Sequence, residues 1–261
     1  MSRLRLLIRL MAIQRVLVRH GLDELITATH LFRPFRWLLR LWPDTWNGDR
    51  KTGPRGERIR EALQELGPIF VKFGQSLSTR QDLLPPDVGA ELAKLQDQVP
   101  PFPAEQAREI LERAYGRPPE EVFAEFTPDA LAAASIAQVH AARLPTGEEV
   151  IVKVLRPGVR ARIEQDIEVL YAIARLANRY WPEARRLRPV EVIEEYEKTC
   201  EAELDLMREA ANCAQLRRNF KGSSQIYVPE IYWDYCNDRA MVQERIYGIP
   251  INQMDELRRA G

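Results

Sequence analysis

Apolar residues recur along this 261-residue chain with two periods, which divide it into a helical first part, a pair of short strands and a second helical part. At about 100° per residue, Leu6, Leu7, Leu10, Ile13 and Leu17 fall on one side of a helix over 3–19. Arg5, Arg9, Arg15 and Arg19 fall on the other side, and LFRPFRWLLRLW (31–42) repeats the theme with aromatics. A polar, Gly-containing stretch at 47–56 precedes a helix predicted over about 57–80. Its apolar stripe is Ile59, Leu63, Leu66, Phe70, Phe73 and Leu77, with Lys72, Gln75, Ser76 and Thr79 on another face. Pro85-Pro86 ends that element, helices follow near 87–97 and 104–115, and Pro118-Pro119 closes the series. The period then shortens to two. Residues 136–144 and 149–155 read as strands joined by a Pro-Thr-Gly turn at 145–147, preceded by a small-residue loop. Helical periodicity returns over 159–180, and one continuous helix is predicted from Pro189 to about residue 218. The last part reads as two strands joined at Asn237-Asp238, then a helical start at MDELRRAG.

Composition adds a contrast in charge. The net charge is zero, yet residues 1–60 hold thirteen Lys/Arg against five Asp/Glu, a balance of +8, so the other 201 residues sum to −8. A basic, amphipathic beginning suits an anionic lipid surface, while packing on its own domain would produce the same pattern. No apolar run is long enough to cross a bilayer, because arginines interrupt it, and nothing resembles a cleavable secretory signal. Cys200, Cys213 and Cys236 show no CxxC spacing, and His20, His30 and His140 are scattered, so neither a disulfide framework nor a histidine-based metal site is implied.

Chemistry concentrates in LAAASIAQVHAARLPTGEEVIVKV (131–154). Ala132, Ala133, Ala134 and Ser135 are small enough for a backbone to close over a ligand. Lys153, between Val152 and Val154, puts a charge in an apolar run. A buried ammonium is costly unless an anion meets it. Two readings stand: an ordinary hairpin whose lysine reaches water, or a phosphate-handling unit of the kind in which a loop covers a nucleotide and a strand lysine meets its phosphates. The helix expected over 190–218 has an apolar seam at Ile193, Tyr196, Cys200, Leu204, Met207 and Ala211. It also carries Glu197, Glu201, Asp205 and Glu209 at intervals of four. Like charges at that spacing cost about 0.2–0.5 kcal/mol per pair, so a cation should offset them unless the face is simply solvated. Glu209 is the candidate partner for Lys153.

Five segments in order make the chain recognisable: KFGQSLSTRQDLLP (72–85), LAAASIAQVHAARL (131–144), VIVKVLRPGV (150–159), ELDLMREAAN (203–212) and MVQERIYGIPI (241–251). Together they resemble the UbiB/ADCK family of atypical protein-kinase-like proteins, and the N-terminal LIRLMAIQRVLVRHGLDELI resembles its bacterial branch, tied to ubiquinone biosynthesis. The resemblance implies an α+β fold: a protein-kinase-like N-lobe of small antiparallel sheet and long helices, preceded by a helical N-terminal extension. The expected divisions are 1–45 as basic membrane-interface helices, 46–120 as the extension, and 121–261 as the lobe. It further implies that Leu131, Ala132, Ala133, Ala134, Ser135, Ile136, Ala137, Gln138 and Val139 form an alanine-rich nucleotide loop. Lys153 and Glu209 would be the strand lysine and its helix partner, and Glu244 to Ile246 would meet adenine through backbone groups. Lys72, Gly74 and Gln75 match the family's KxGQ motif, while Glu203 and Asp205 match an ExD pair associated with nucleotide and metal handling that contacts the KxGQ lysine.

ATP and Mg²⁺ are the expected cofactors. No catalytic-loop aspartate or DFG-type aspartate follows, so the chain alone is not expected to turn over ATP, and Mg²⁺ ligands are expected beyond residue 261. Two functions fit. One is a membrane-associated kinase or ATPase supporting aerobic ubiquinone biosynthesis at the cytoplasmic face of a bacterial inner membrane. The other is a nucleotide-gated scaffold binding lipid or ubiquinone-pathway enzymes. Nucleic acid is not an expected partner.

Overall fold

The computed structural model describes residues 3–22, 51–79, 84–96, 100–180, 185–186, 188–249, 251 and 253–260. The aromatic segment 31–42 and the beginning of the 47–56 stretch lie outside the described residues. In chain order the elements are α1 (Arg3–Arg19), α2 (Arg55–Leu66), α3 (Pro68–Ser78), α4 (Pro86–Ala93), a 3-10 turn (Lys94–Gln96), α5 (Ala104–Tyr115) and α6 (Pro119–Val122). Then come β1 (Glu125–Ala133), β2 (Ala137–Arg143), β3 (Glu149–Leu155), α7 (Val159–Tyr180), α8 (Pro189–Glu203), α9 (Leu206–Asn219), a 3-10 turn (Trp233–Tyr235), β4 (Ala240–Glu244) and α10 (Met254–Ala260). Two compact units share the chain discontinuously: residues 1–101, 133–137 and 156–204 form one, and 102–132, 138–155 and 205–261 the other.

The first unit is helical. The single helix expected over 57–80 is two, because Gly67 takes φ +112 and Pro68 starts α3. A proline is tolerated at a helix's first position, where its missing N–H costs nothing. The last carbonyl of α2, Leu66 O, accepts from Arg9 Nη2 at 2.8 Å and from Arg162 Nη2 at 3.2 Å. A side chain at residue 67 would meet the Arg162 guanidinium at 2.8 Å, a flexible group that can move aside, so the positive φ is what calls for glycine here.

Arg9 Nε also donates to Asp166 Oδ1 at 2.6 Å, and the Asp166 side chain is buried. Burial pushes the Asp166 carboxyl above its usual range, against the Arg9 contact that pulls it down. Arg9 is therefore not on an outward basic face. Its helix packs Leu10, Ile13, Val16 and Leu17 against Leu66, Phe70, Val169 and Ile173. Leu10, Ile13 and Leu17 of the apolar stripe are thus part of this unit's own core, an environment that selects the same periodicity as a bilayer does. Ile8, Arg15 and Arg19 are exposed on α1. Among the described residues no helix is long and apolar enough to cross a membrane.

The second unit holds the sheet, in the order β1-β2-β3-β4. β3 and β4 pair antiparallel, with Val152 opposite Val242 and Lys153 opposite Met241. Alternation along β3 sends Val150, Val152 and Val154 into a core with Ala107, Ile110, Leu111, Phe123 and Val242. Each such fully buried valine contributes about 1.5–3 kcal/mol. On the opposite face Leu155 and Met241 pack with Leu206, Ala210 and Ile231, so α9 lies on the face of β3 that carries Lys153.

Candidate functional site

That face brings the two expected partners together. Lys153 Nζ donates to both carboxylate oxygens of Glu209 at 2.6 Å. The side chains are 23% and 38% exposed, so the pair stands at a boundary rather than in the core. An ammonium has three N–H donors, which leaves one for a ligand beyond the two aimed at Glu209. A half-exposed pair of this kind is worth about 1 kcal/mol or less to the fold. Its consequence is positional, because it holds a cation at a fixed point above the sheet.

Glu209 is placed by a break in the helix expected over 190–218. α8 ends at Glu203 and α9 begins at Leu206, with Asp205 between them as N-cap, its carboxylate accepting from Arg208 N at 2.9 Å. The run of acids at intervals of four is therefore divided between two helices: Glu197 and Glu201 remain neighbours on α8, while Asp205 and Glu209 belong to the start of α9, so no repulsive face runs through all four. Glu209 stands in the first turn of α9, where the helix's positive end favours a carboxylate by about 0.3–1 kcal/mol. Glu197 is committed elsewhere, accepting from Tyr171 Oη at 2.6 Å, which pushes that phenol up to about 12.

The alanine-rich segment is shorter as a loop than its composition suggests. β1 continues through Ala133, so Leu131, Ala132 and Ala133 are strand, and the turn is closed by Ala134 N donating to Ala137 O at 2.8 Å. Leu131, Ala132 and Ala134 are exposed, Ala133 and Val139 are half-buried, and Ser135, Ile136, Ala137 and Gln138 are buried. Gln138, expected at a ligand, is spent in the core. Its Oε1 accepts from Phe102 N at 3.0 Å, and its Nε2 stands 2.9 Å from His140 Nε2. His140 Nδ1 lies 3.1 Å from Thr127 O. Only a neutral imidazole, donating from Nδ1 and accepting at Nε2, satisfies both contacts, and burial lowers the His140 pKa accordingly.

In the helical unit Lys72, on α3, is ion-paired with Glu203, the last residue of α8. Gln75 Nε2 donates to Leu95 O at 2.8 Å, so its amide fastens α3 to the Lys94–Gln96 turn. Gly74 is a packing position: a Cβ there would lie 2.6 Å from Leu95 Cδ1 and 2.8 Å from Leu63 Cδ1. Nearby, Tyr196 Oη donates to Ile69 O at 2.6 Å, and burial raises the Cys200 thiol to about 11. That thiol is no nucleophile at neutral pH.

Residues 94–261 match the ABC1 atypical kinase-like domain. The chain belongs to that family. It is 56% identical over 255 residues to the "Probable protein kinase UbiB" of Pseudomonas paraeruginosa, covering 96% of this chain and 47% of the relative. To the protein of the same description from Marinobacter nauticus it is 52% identical over 253 residues, covering 97% and 46%. The chain thus spans about half the length of these curated relatives. Among solved structures, a Mycobacterium tuberculosis protein titled "The complex structure of Rv3197-erythromycin" aligns with TM-score 0.52 and 29% identity, over 74% of this chain and 49% of that one. The chain is a UbiB-type atypical kinase-like protein, and its small antiparallel sheet with long helices is the N-lobe arrangement expected from its motifs.

In this ABC1-family lobe the segment expected at adenine lies at the end of β4. Glu244 N donates to Glu230 O at 2.8 Å and Arg245 N to Glu149 O at 3.0 Å, so both N–H groups are committed to protein partners. The Glu244 carboxylate accepts from Tyr227 Oη at 2.6 Å and from Glu230 N at 3.1 Å. Ile246 follows, exposed and beyond the strand. No group of three or more His, Cys, Asp or Glu that could hold a metal ion occurs among the described residues. Sequence reasoning missed the buried Gln138–His140 pair, the Tyr227–Glu244 contact and Arg156. For Arg156 a signal existed in the Arg-Pro-Gly turn, which reads from sequence only as a strand end.

Proposed function

We propose that this chain binds ATP through a cradle in which Lys153, held by Glu209, meets the nucleotide phosphates. The observation that carries the reading is the two-oxygen contact between Lys153 and Glu209, with a third ammonium donor left over. An anion fits that donor. The exposed residues Ala132 and Ala134 at the β1–β2 end have short side chains, and the Ile246 region would offer backbone groups to the base. Alanine Cβ atoms limit how tightly a turn wraps phosphates, which favours ATP hydrolysis or transfer to a small or lipid-like acceptor over phosphorylation of proteins. Mg²⁺ would supply charge neutralisation of the phosphates when bound, with Asp205 and Glu203 as the family-matched acids near the start of α9.

A UbiB-type protein of full relative length would use this half-site to support aerobic ubiquinone biosynthesis at the cytoplasmic side of the bacterial inner membrane. A lipid-facing role for the basic N-terminal segment would draw on exposed α1 positions such as Ile8 and Arg15, whereas Arg19, also exposed, is ion-paired with Glu65. The test is calorimetric binding of ATP, with and without Mg²⁺ and anionic vesicles, to a protein of full relative length and to its Lys153→Ala variant. Binding that weakens at least tenfold in the variant supports the reading. Equal binding refutes it.

A further inference from the structure

β3 ends at Leu155, and the next residue turns back toward the alanine-rich segment. Arg156 N donates to Ile136 O at 2.8 Å. Its guanidinium donates from Nε to Ala134 O at 2.9 Å and from Nη2 to Pro100 O at 2.6 Å. One residue thus addresses three backbone carbonyls, two of them in the turn between β1 and β2. Burial pulls the Arg156 pKa down, although an arginine stays charged at any working pH.

We infer that Arg156 is the positioning residue of the alanine-rich turn, fixing which way its peptide groups face and so presetting the amides that nucleotide phosphates would meet. In a trans peptide the C=O and the following N–H point in opposite directions, and no peptide bond described is cis. Drawing Ala134 O onto the guanidinium therefore turns Ser135 N–H away from it. Drawing Ile136 O onto the Arg156 backbone does the same for Ala137 N–H. A glycine loop reaches such shapes on contact with its ligand, at an entropic cost paid on binding. Alanines narrow the choice of backbone angles, and a planar two-pronged donor selects one shape in advance. Lysine is a poor replacement, because its donors share one nitrogen, whereas the planar fork sets Nε and Nη2 apart to reach Ala134 and Pro100 together. The ligand is that of the proposed ATP site, and the inference rests on that reading for its consequence though not for its geometry.

The test measures amide hydrogen exchange over residues 132–138 of the ligand-free 261-residue chain, in the native protein and in Arg156→Lys and Arg156→Ala. ATP affinity is measured in parallel in a protein of full relative length. The expected result is at least tenfold faster exchange in the turn for both variants, with β3–β4 protection unchanged. ATP binding should weaken at least tenfold and recover in part when methylguanidinium is added to Arg156→Ala. Unchanged exchange in the turn overturns the inference, as does loss of protection throughout the sheet in both variants, which would make Arg156 a general prop of the fold. A native protein that binds no ATP while its turn loosens in the variants overturns the nucleotide reading and leaves the clamp standing. Native ATP binding with unaltered affinity in Arg156→Lys leaves the nucleotide site standing and removes the clamp.

Discussion

Glu203 and Asp205 stand two residues apart and serve different helices: Glu203 ends α8 in an ion pair with Lys72, and Asp205 opens α9 as its N-cap. An acid pair that reads as one motif is thus two structural devices at a helix break. Each acid has local work to do before any nucleotide is considered.

Asp205 separates the two kinds of work. Asparagine caps a helix about as well as aspartate, whereas alanine costs about 0.5–2 kcal/mol. Asp205→Ala should lower the unfolding midpoint measurably by circular dichroism, and Asp205→Asn should leave it within error. If the carboxylate also serves nucleotide or metal, Asp205→Asn should weaken Mg²⁺-dependent ATP binding in a protein of full relative length. Equal binding by Asp205→Asn and native protein would confine Asp205 to capping.

Gly74 predicts a purely steric outcome. A methyl group at this position meets Leu95 and Leu63 at under 3 Å, and overpacking a core costs about 1–3 kcal/mol. Gly74→Ala should lower thermal stability, and adding Leu63→Val should recover part of the loss by freeing space. Full stability of Gly74→Ala alone would show that α2 and α3 do not approach as closely as described.

His140 gives the sheet a pH dependence of definite sign. Its pKa in the folded chain lies below the ordinary value of 6.5, so the unfolded chain takes up the proton first. Stability is full above that ordinary value and is lost as pH falls through the folded pKa. Amide exchange in β2 should therefore quicken from pH 7.5 to pH 5.5, after correction for intrinsic rates, and His140→Gln should flatten the slope. Buried Asp166, with a raised pKa, acts with the opposite sign, its contribution lost as pH rises, and it belongs to the helical unit, so exchange read within β2 keeps the two apart.

Legibility in the sequence followed the range of the interaction. The β3 alternation identified Lys153 as out of place, and periodicity placed α5 and α7 closely. β1 was overlooked because Pro128, Asp129 and a run of alanines carry little strand signal, and its positions are largely exposed. The break before α9 was hidden because a capping aspartate inside an acidic run looks like one more acid. The inward turn of Arg9 could not be read at all, since its partner Asp166 lies 157 residues away. Lys153 and Glu209, 56 residues apart, were matched through the ordered family motifs and the unusual setting of the lysine.

The most direct test of the nucleotide cradle is a double-mutant cycle on ATP binding in a protein of full relative length, using Lys153→Met, Glu209→Gln and both together. The account predicts that each single variant loses at least tenfold in affinity while unfolding midpoints shift little, and that the double variant is hardly worse than Lys153→Met. Additive losses, or native affinity in Lys153→Met, would contradict it.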